Sequence, residues 1–75
     1  MQHFAEKLKK ARKAAGLSQE KVAQILNISQ SNISKYENGA LEPSLDTIYE
    51  LIDLYDINAN FLFNKNELNE IREDE

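Results

Sequence analysis

The sequence predicts an all-α fold of five short helices, and three observations carry that prediction. Apolar residues recur at i, i+3 and i+4 along successive stretches. Serines stand where helices would begin, at Ser18, Ser29 and Ser44, and residues that tolerate a left-handed backbone stand where they would end, at Gly16, Asn27 and Gly39. The 75-residue chain is 41% hydrophobic and 29% charged, which suits one small globular unit. It contains no cysteine, so packing alone must stabilise it, and a reducing compartment fits.

Phe4, Leu8, Ala11 and Ala15 repeat at helical spacing, with Glu6, Lys7, Lys9, Lys10 and Lys13 on the other faces. Residues 3–15 therefore form an amphipathic first helix whose lysines make a solvated face, and Gly16 ends it. Ser18 caps a second helix of about two turns, with Glu20 favoured in its first turn by the helix dipole. Val22, Ala23, Ile25 and Leu26 give that helix its packing side. Asn27 stops it, because asparagine readily takes a positive φ. Ile28 plugs the turn and Ser29 caps a third helix, in which Ile33 and Tyr36 face inward while Gln30, Ser31, Ser34 and Lys35 do not. Asn38-Gly39 closes it, and Pro43 keeps Glu42 extended in the short link that follows.

Ser44 caps a fourth helix with an apolar stripe of Leu45, Ile48, Leu51, Ile52 and Tyr55, while Tyr49 and Leu54 lie off that stripe. After a short break from Asp56 to Asn60, a fifth helix carries Phe61 and Leu62. Beyond Asn64 the chain becomes acidic, with only Leu68 and Ile71 at helical spacing. The expected organisation is a folded unit over residues 1–65 and an acidic, solvated tail over residues 66–75.

The second and third helices satisfy a steric pattern. Counted from Gln19, a small residue stands fifth (Ala23), a turn former ninth (Asn27) and a β-branched residue fifteenth (Ile33). Two helices that cross steeply through a short turn approach most closely near Ala23, where a longer side chain would force them apart. Val22, Leu26, Ile28, Ile33 and Tyr36 fill the wedge between them.

On the residues Leu17-Ser18-Gln19-Glu20-Lys21-Val22-Ala23, Ser29-Gln30-Ser31, Ile33-Ser34-Lys35-Tyr36-Glu37-Asn38-Gly39 and Glu42-Pro43-Ser44, the chain resembles the Cro and phage-repressor (XRE) helix-turn-helix family. The resemblance covers roughly residues 4–63. It implies a lambda-repressor-like domain that binds double-stranded DNA, with the third helix in the major groove, and a homodimeric transcriptional regulator, a repressor acting at an operator. On the matching positions it implies that Gln19 approaches a phosphate and braces Gln30. Gln30 can then pair with an adenine edge, Ser31 with a neighbouring base, and Lys35 with guanine or a phosphate. Ser34 is a further candidate. Asn32 and Asn38 match positions that hold backbone phosphates. Arg12 and Glu37 match an ion pair between the first helix and the end of the third, expected to be partly buried, and Ala59, Phe61 and Phe63 fall in the region through which the family commonly dimerises. The sequence departs from the family at Asn27, where glycine is frequent, a change the backbone tolerates.

The net charge of -4 is unusual for a protein that approaches phosphates. The charge is segregated, however: residues 1–43 carry +3 and residues 44–75 carry -7. A basic half is left to face an acidic partner. Asp46, Glu50, Asp53 and Asp56 turn the fourth helix away from DNA, so Lys9, Lys10, Lys13 and Lys35 are the main cations for the backbone.

An enzyme is not expected. A chain this short buries only about 60% of its unfolded surface, which leaves little room for a substrate cavity, and its carboxylates lie on a solvated helix and tail rather than paired in a pocket. The two glycines form no phosphate loop, and His3 without a second histidine or a cysteine forms no metal site. No cofactor or small-molecule ligand is expected. Nor is a membrane partner, since neither a leader nor a span of roughly 18 apolar residues is present, and a cytoplasmic, nucleoid-associated location follows. With no room for a sensor domain, regulation would come from a partner, from concentration or from a larger parent chain. Two other readings stay open: an antitoxin-like module binding a toxin through residues 66–75 as well as its own promoter, and a protein-interaction adaptor without DNA binding, for which the pI of about 4.9 is the support.

Overall fold

The computed structural model describes residues 2–63. Within them lie five α-helices, α1 (Gln2–Ala14), α2 (Gln19–Leu26), α3 (Gln30–Asn38), α4 (Leu45–Tyr55) and α5 (Ala59–Phe63), and no strand. The expected acidic tail, its Leu68 and Ile71, and the boundary at residue 65 lie outside the described residues.

The three serines start their helices by one device. Ser18, Ser29 and Ser44 hold extended backbone while each side-chain oxygen accepts from the amide three residues on, of Lys21, Asn32 and Thr47, which satisfies a donor the helix itself leaves open. The ends share a device too. Asn27, Gly39 and Asp56 all adopt left-handed backbone, at φ 58°, 83° and 56°, and so turn amide groups back onto the last helical carbonyls. Gly16 does the same after α1, at φ 76°.

These turns fold the chain around one core of Phe4, Leu8, Ala11, Val22, Ala23, Ile33, Tyr36, Ile48, Leu51, Tyr55 and Leu62. α1 is the central element, packing on α3 and α5 and, less extensively, on α4, while α2 packs on α3. Ala23 is buried between the helices, and the Ile28 amide donates to its carbonyl at 3.0 Å. That bond locks the turn between α2 and α3.

Four side chains differ from the reading of the sequence. Lys7 is buried rather than solvated: its stem lies along the core and its Nζ sits 5.3 Å from the ring centre of Phe61, an arrangement in which an apolar stem and a cation both find partners. Ile25 is 48% exposed, since it stands more than a quarter turn from the Val22, Ala23 and Leu26 face of a two-turn helix. Leu45 is 60% exposed because it opens α4 beside its exposed cap. Ala15 is exposed, falling in the turn after α1. Tyr49 is exposed, whereas Leu54 is half-buried against the core.

Candidate nucleic-acid interface

The helical repeat divides α3 into two faces. Ile33, Tyr36 and Glu37 are buried toward α1 and α2, while Gln30, Ser31, Lys35 and Asn38 are exposed and Ser34 and Asn32 half-buried. Gln30, Ser34 and Asn38 are four residues apart, with Ser31 and Lys35 beside them, so they form one polar stripe. It is a short, rigid row of hydrogen-bonding groups.

A charged cluster beside the buried Ile33 and Tyr36 helps hold that row in place. Arg12 of α1 meets Glu37 of α3 through two bonds, Nε to Oε2 at 2.7 Å and Nη2 to Oε1 at 3.2 Å, and both side chains are largely buried. The third donor arm is used as well, since Arg12 Nη1 donates to the Leu17 carbonyl at 2.8 Å. The paired carboxylate holds the Arg12 guanidinium above its ordinary pKa, with burial opposing. The Tyr55 hydroxyl is pushed up to about 12, chiefly by burial and then by the Glu37 charge, with Arg12 pulling the other way.

Gln19, half-buried at the first position of α2, joins the same cluster: its Nε2 donates to Glu37 Oε1 at 3.0 Å. No feature of the sequence signals this bond, because the two residues lie 18 apart on different helices. The sequence does not signal the Leu17 carbonyl or the coupling of Tyr55 to this cluster either; a carbonyl carries no side-chain signature, and Tyr55 reads simply as core. Asn38 is occupied at one end, its Oδ1 accepting from the Ala40 amide at 2.9 Å, which leaves its Nδ2 as the end able to reach an outside acceptor.

On α5, Phe63 is 53% exposed with its ring stacked 5.7 Å from that of Phe4. Ala59 is exposed and Phe61 half-buried. An open groove of about 400 Å³ runs beside them, lined by Lys10, Ala11, Ala14, Ile57, Asn58 and Phe61. Among the described residues there is no group of acidic, histidine or cysteine side chains that could hold a metal, and no helix is long and apolar enough to cross a membrane.

Comparison with known proteins agrees with this architecture. A family model described as helix-turn-helix matches residues 8–62. The HTH-type transcriptional regulator ImmR of Bacillus subtilis (strain 168) is 36% identical over 70 residues, which cover 93% of this chain and 55% of ImmR. The SPbeta prophage-derived uncharacterized HTH-type transcriptional regulator YonR of the same organism is 39% identical over 59 residues, covering 79% of this chain and 55% of YonR. The uncharacterized HTH-type transcriptional regulator YqaE, also from it, is 36% identical over 67 residues, covering 89% of this chain and 57% of YqaE. The chain thus spans a little over half the length of these relatives. A polar α3 face left outward by the packing of its other face on α1 and α2, a two-helix turn closed at Asn27, and this match over most of the chain converge: the chain belongs to the XRE-type helix-turn-helix family, a class of DNA-binding rather than catalytic proteins.

Proposed function

We propose that the chain regulates transcription as a repressor, inserting α3 into the major groove of an operator as a homodimer. The observation that carries this reading is the division of α3 into a buried anchoring face and a largely exposed polar face. A helix that reads DNA must present its donors and acceptors at a fixed angle, and Ile33, Tyr36 and Glu37 supply the fixing. The names of its relatives as HTH-type transcriptional regulators support the reading. In it, Gln30, Ser31, Ser34 and Lys35 face base edges, whereas Gln19, Asn32 and Asn38 hold the phosphate backbone. Arg12 and Glu37 serve as the structural ion pair. Exposed Ala59 and Phe63, with Phe61 at the edge of the groove, favour pairing of two copies through α5. Two α3 helices would then enter successive major grooves about 34 Å apart. Repression follows from an occupied promoter. The DNA-binding unit in this reading is residues 1–65, and residues 66–75 are an acidic appendage.

The test is fluorescence anisotropy with a duplex enriched from a random pool by the protein itself, beside a scrambled duplex, at two salt concentrations. Saturable, salt-dependent preference for the enriched duplex is expected. Gln30→Ala should relax discrimination at one base pair by roughly 1 to 3 kcal/mol, and Asn38→Ala should weaken both duplexes alike. Equal, weak binding of both duplexes by the unmodified protein would refute the reading.

A further inference from the structure

Glu37 lies at the junction of three elements. Its carboxylate takes the Arg12 fork from α1 and the Gln19 amide from the start of α2, while it is itself carried by α3. Arg12 closes the loop by bonding the Leu17 carbonyl, two residues before Gln19. We propose that Glu37 is a positioning residue for DNA contact, which acts by fixing the polarity of the Gln19 side-chain amide; the proposal rests on the DNA-binding reading above.

A glutamine amide is nearly symmetric in shape, so a half-turn of its last torsion exchanges donor and acceptor at little steric cost. Against an ionised carboxylate the two orientations are not equivalent. Nitrogen inward makes a charge-assisted hydrogen bond, whereas carbonyl inward would set two acceptors 3.0 Å apart. Arg12 keeps the carboxylate in place, because its guanidinium bonds both oxygens in a forked geometry. The remaining N–H and the carbonyl of Gln19 are thereby assigned to outside partners. The N–H suits a phosphate oxygen, and the carbonyl suits an amide donor such as that of Gln30. With the amide already oriented, less side-chain freedom is lost when DNA binds.

A double-mutant cycle separates this role from support of the fold. Glu37→Gln keeps the shape but no longer dictates which end of Gln19 turns inward, and Gln19→Ala removes the group being positioned. Binding to the enriched duplex is measured by anisotropy at a temperature where circular dichroism shows each variant folded. Each single change should weaken binding by about three- to tenfold, and the double variant should bind no more weakly than Gln19→Ala alone. If Glu37→Gln weakens binding by the same factor with and without Gln19, Glu37 only supports the fold and the positioning role is overturned. Loss is distinguishable from failure of the DNA-binding reading, in which the unmodified protein itself shows no preference for any duplex, and which would remove this proposal with it. Should Glu37→Gln fail to fold, the side-chain amide signals of Gln19 in the unmodified protein decide: one hydrogen displaced downfield and slow to exchange supports the proposal, and an ordinary glutamine amide pair overturns it.

Discussion

Burying a guanidinium and a carboxylate removes strong solvation from both, and the loss is recovered only when their donors and acceptors are saturated. Arg12 approaches that condition with all three of its nitrogens bonded, to both Glu37 oxygens and to the Leu17 carbonyl. Arg12→Ala would leave the Glu37 carboxylate almost inaccessible to water without its counter-ion, at a cost of about 3 kcal/mol. Melting temperature and DNA affinity should fall together, as seen by circular dichroism and anisotropy, and an unchanged melting curve would contradict the role assigned to the pair. Tyr55 gives a second test. Its hydroxyl pKa is raised from 10.0 to about 12 in the folded chain, so the native state holds that proton more tightly than the unfolded state. The associated stability is complete below pH 10 and is lost as pH rises through about 12. The melting temperature should decline over that window, and Tyr55→Phe should flatten the decline. Parallel declines in the two proteins would assign the loss to other groups.

At the scale of helices, start and stop signals were legible because they are local chemistry. A serine before an apolar-periodic run, or an asparagine or glycine after one, acts on backbone groups a few residues away, and Ser18, Ser29, Ser44, Asn27 and Gly39 do so. The polar stripe of α3 was legible for a related reason, being the remainder once Ile33 and Tyr36 are turned inward. What periodicity could not give is how far each helix is covered by its neighbours, which left Leu45 and Ile25 exposed and Lys7 buried. Nor could it give the bond from Gln19 to Glu37, which exists only after α2 and α3 have crossed. In the sequence the α4 terminus shows only as a break, yet Asp56 caps it in left-handed backbone at φ 56°, its amide reaching the Ile52 and Asp53 carbonyls. A carboxylate there opposes the negative end of the helix dipole. Asp56→Asn keeps the tolerance for positive φ and removes that charge, so it should stabilise by about 0.5 kcal/mol and raise melting by about 3 °C. Asp56→Ala should instead destabilise by about 1 kcal/mol, since alanine resists the left-handed region. Two melts of equal sign would show that the cap, or the dipole, contributes nothing here.

For the whole molecule, charge decides which surface approaches DNA. Residues 44–63 contain four acids and no lysine or arginine, whereas residues 1–43 carry +3, so in the DNA-binding reading proposed above the N-terminal half is the one that meets phosphates. The exposed cations there are Lys9, Lys10, Lys13, Lys21 and Lys35, and few of them can reach the backbone on either side of one α3. If about two per protomer neutralise phosphates, a homodimer releases counterions from about four sites, and log affinity should fall with log salt at a slope near about -4. Lys35 lies on the α3 stripe itself, so Lys35→Ala tests both partner and stoichiometry. Each lost contact reduces the slope by about 0.9; a dimer loses two contacts and a monomer one. A slope change near about 2 would support two copies on one operator, a change near about 1 would support a single copy, and affinity that does not depend on salt would sink the electrostatic half of the reading. The acidic half gives the same experiment a second meaning: in the proposed reading, repulsion between it and the duplex would confine productive docking to one face, so the segregated charge would favour orientation at some expense of affinity.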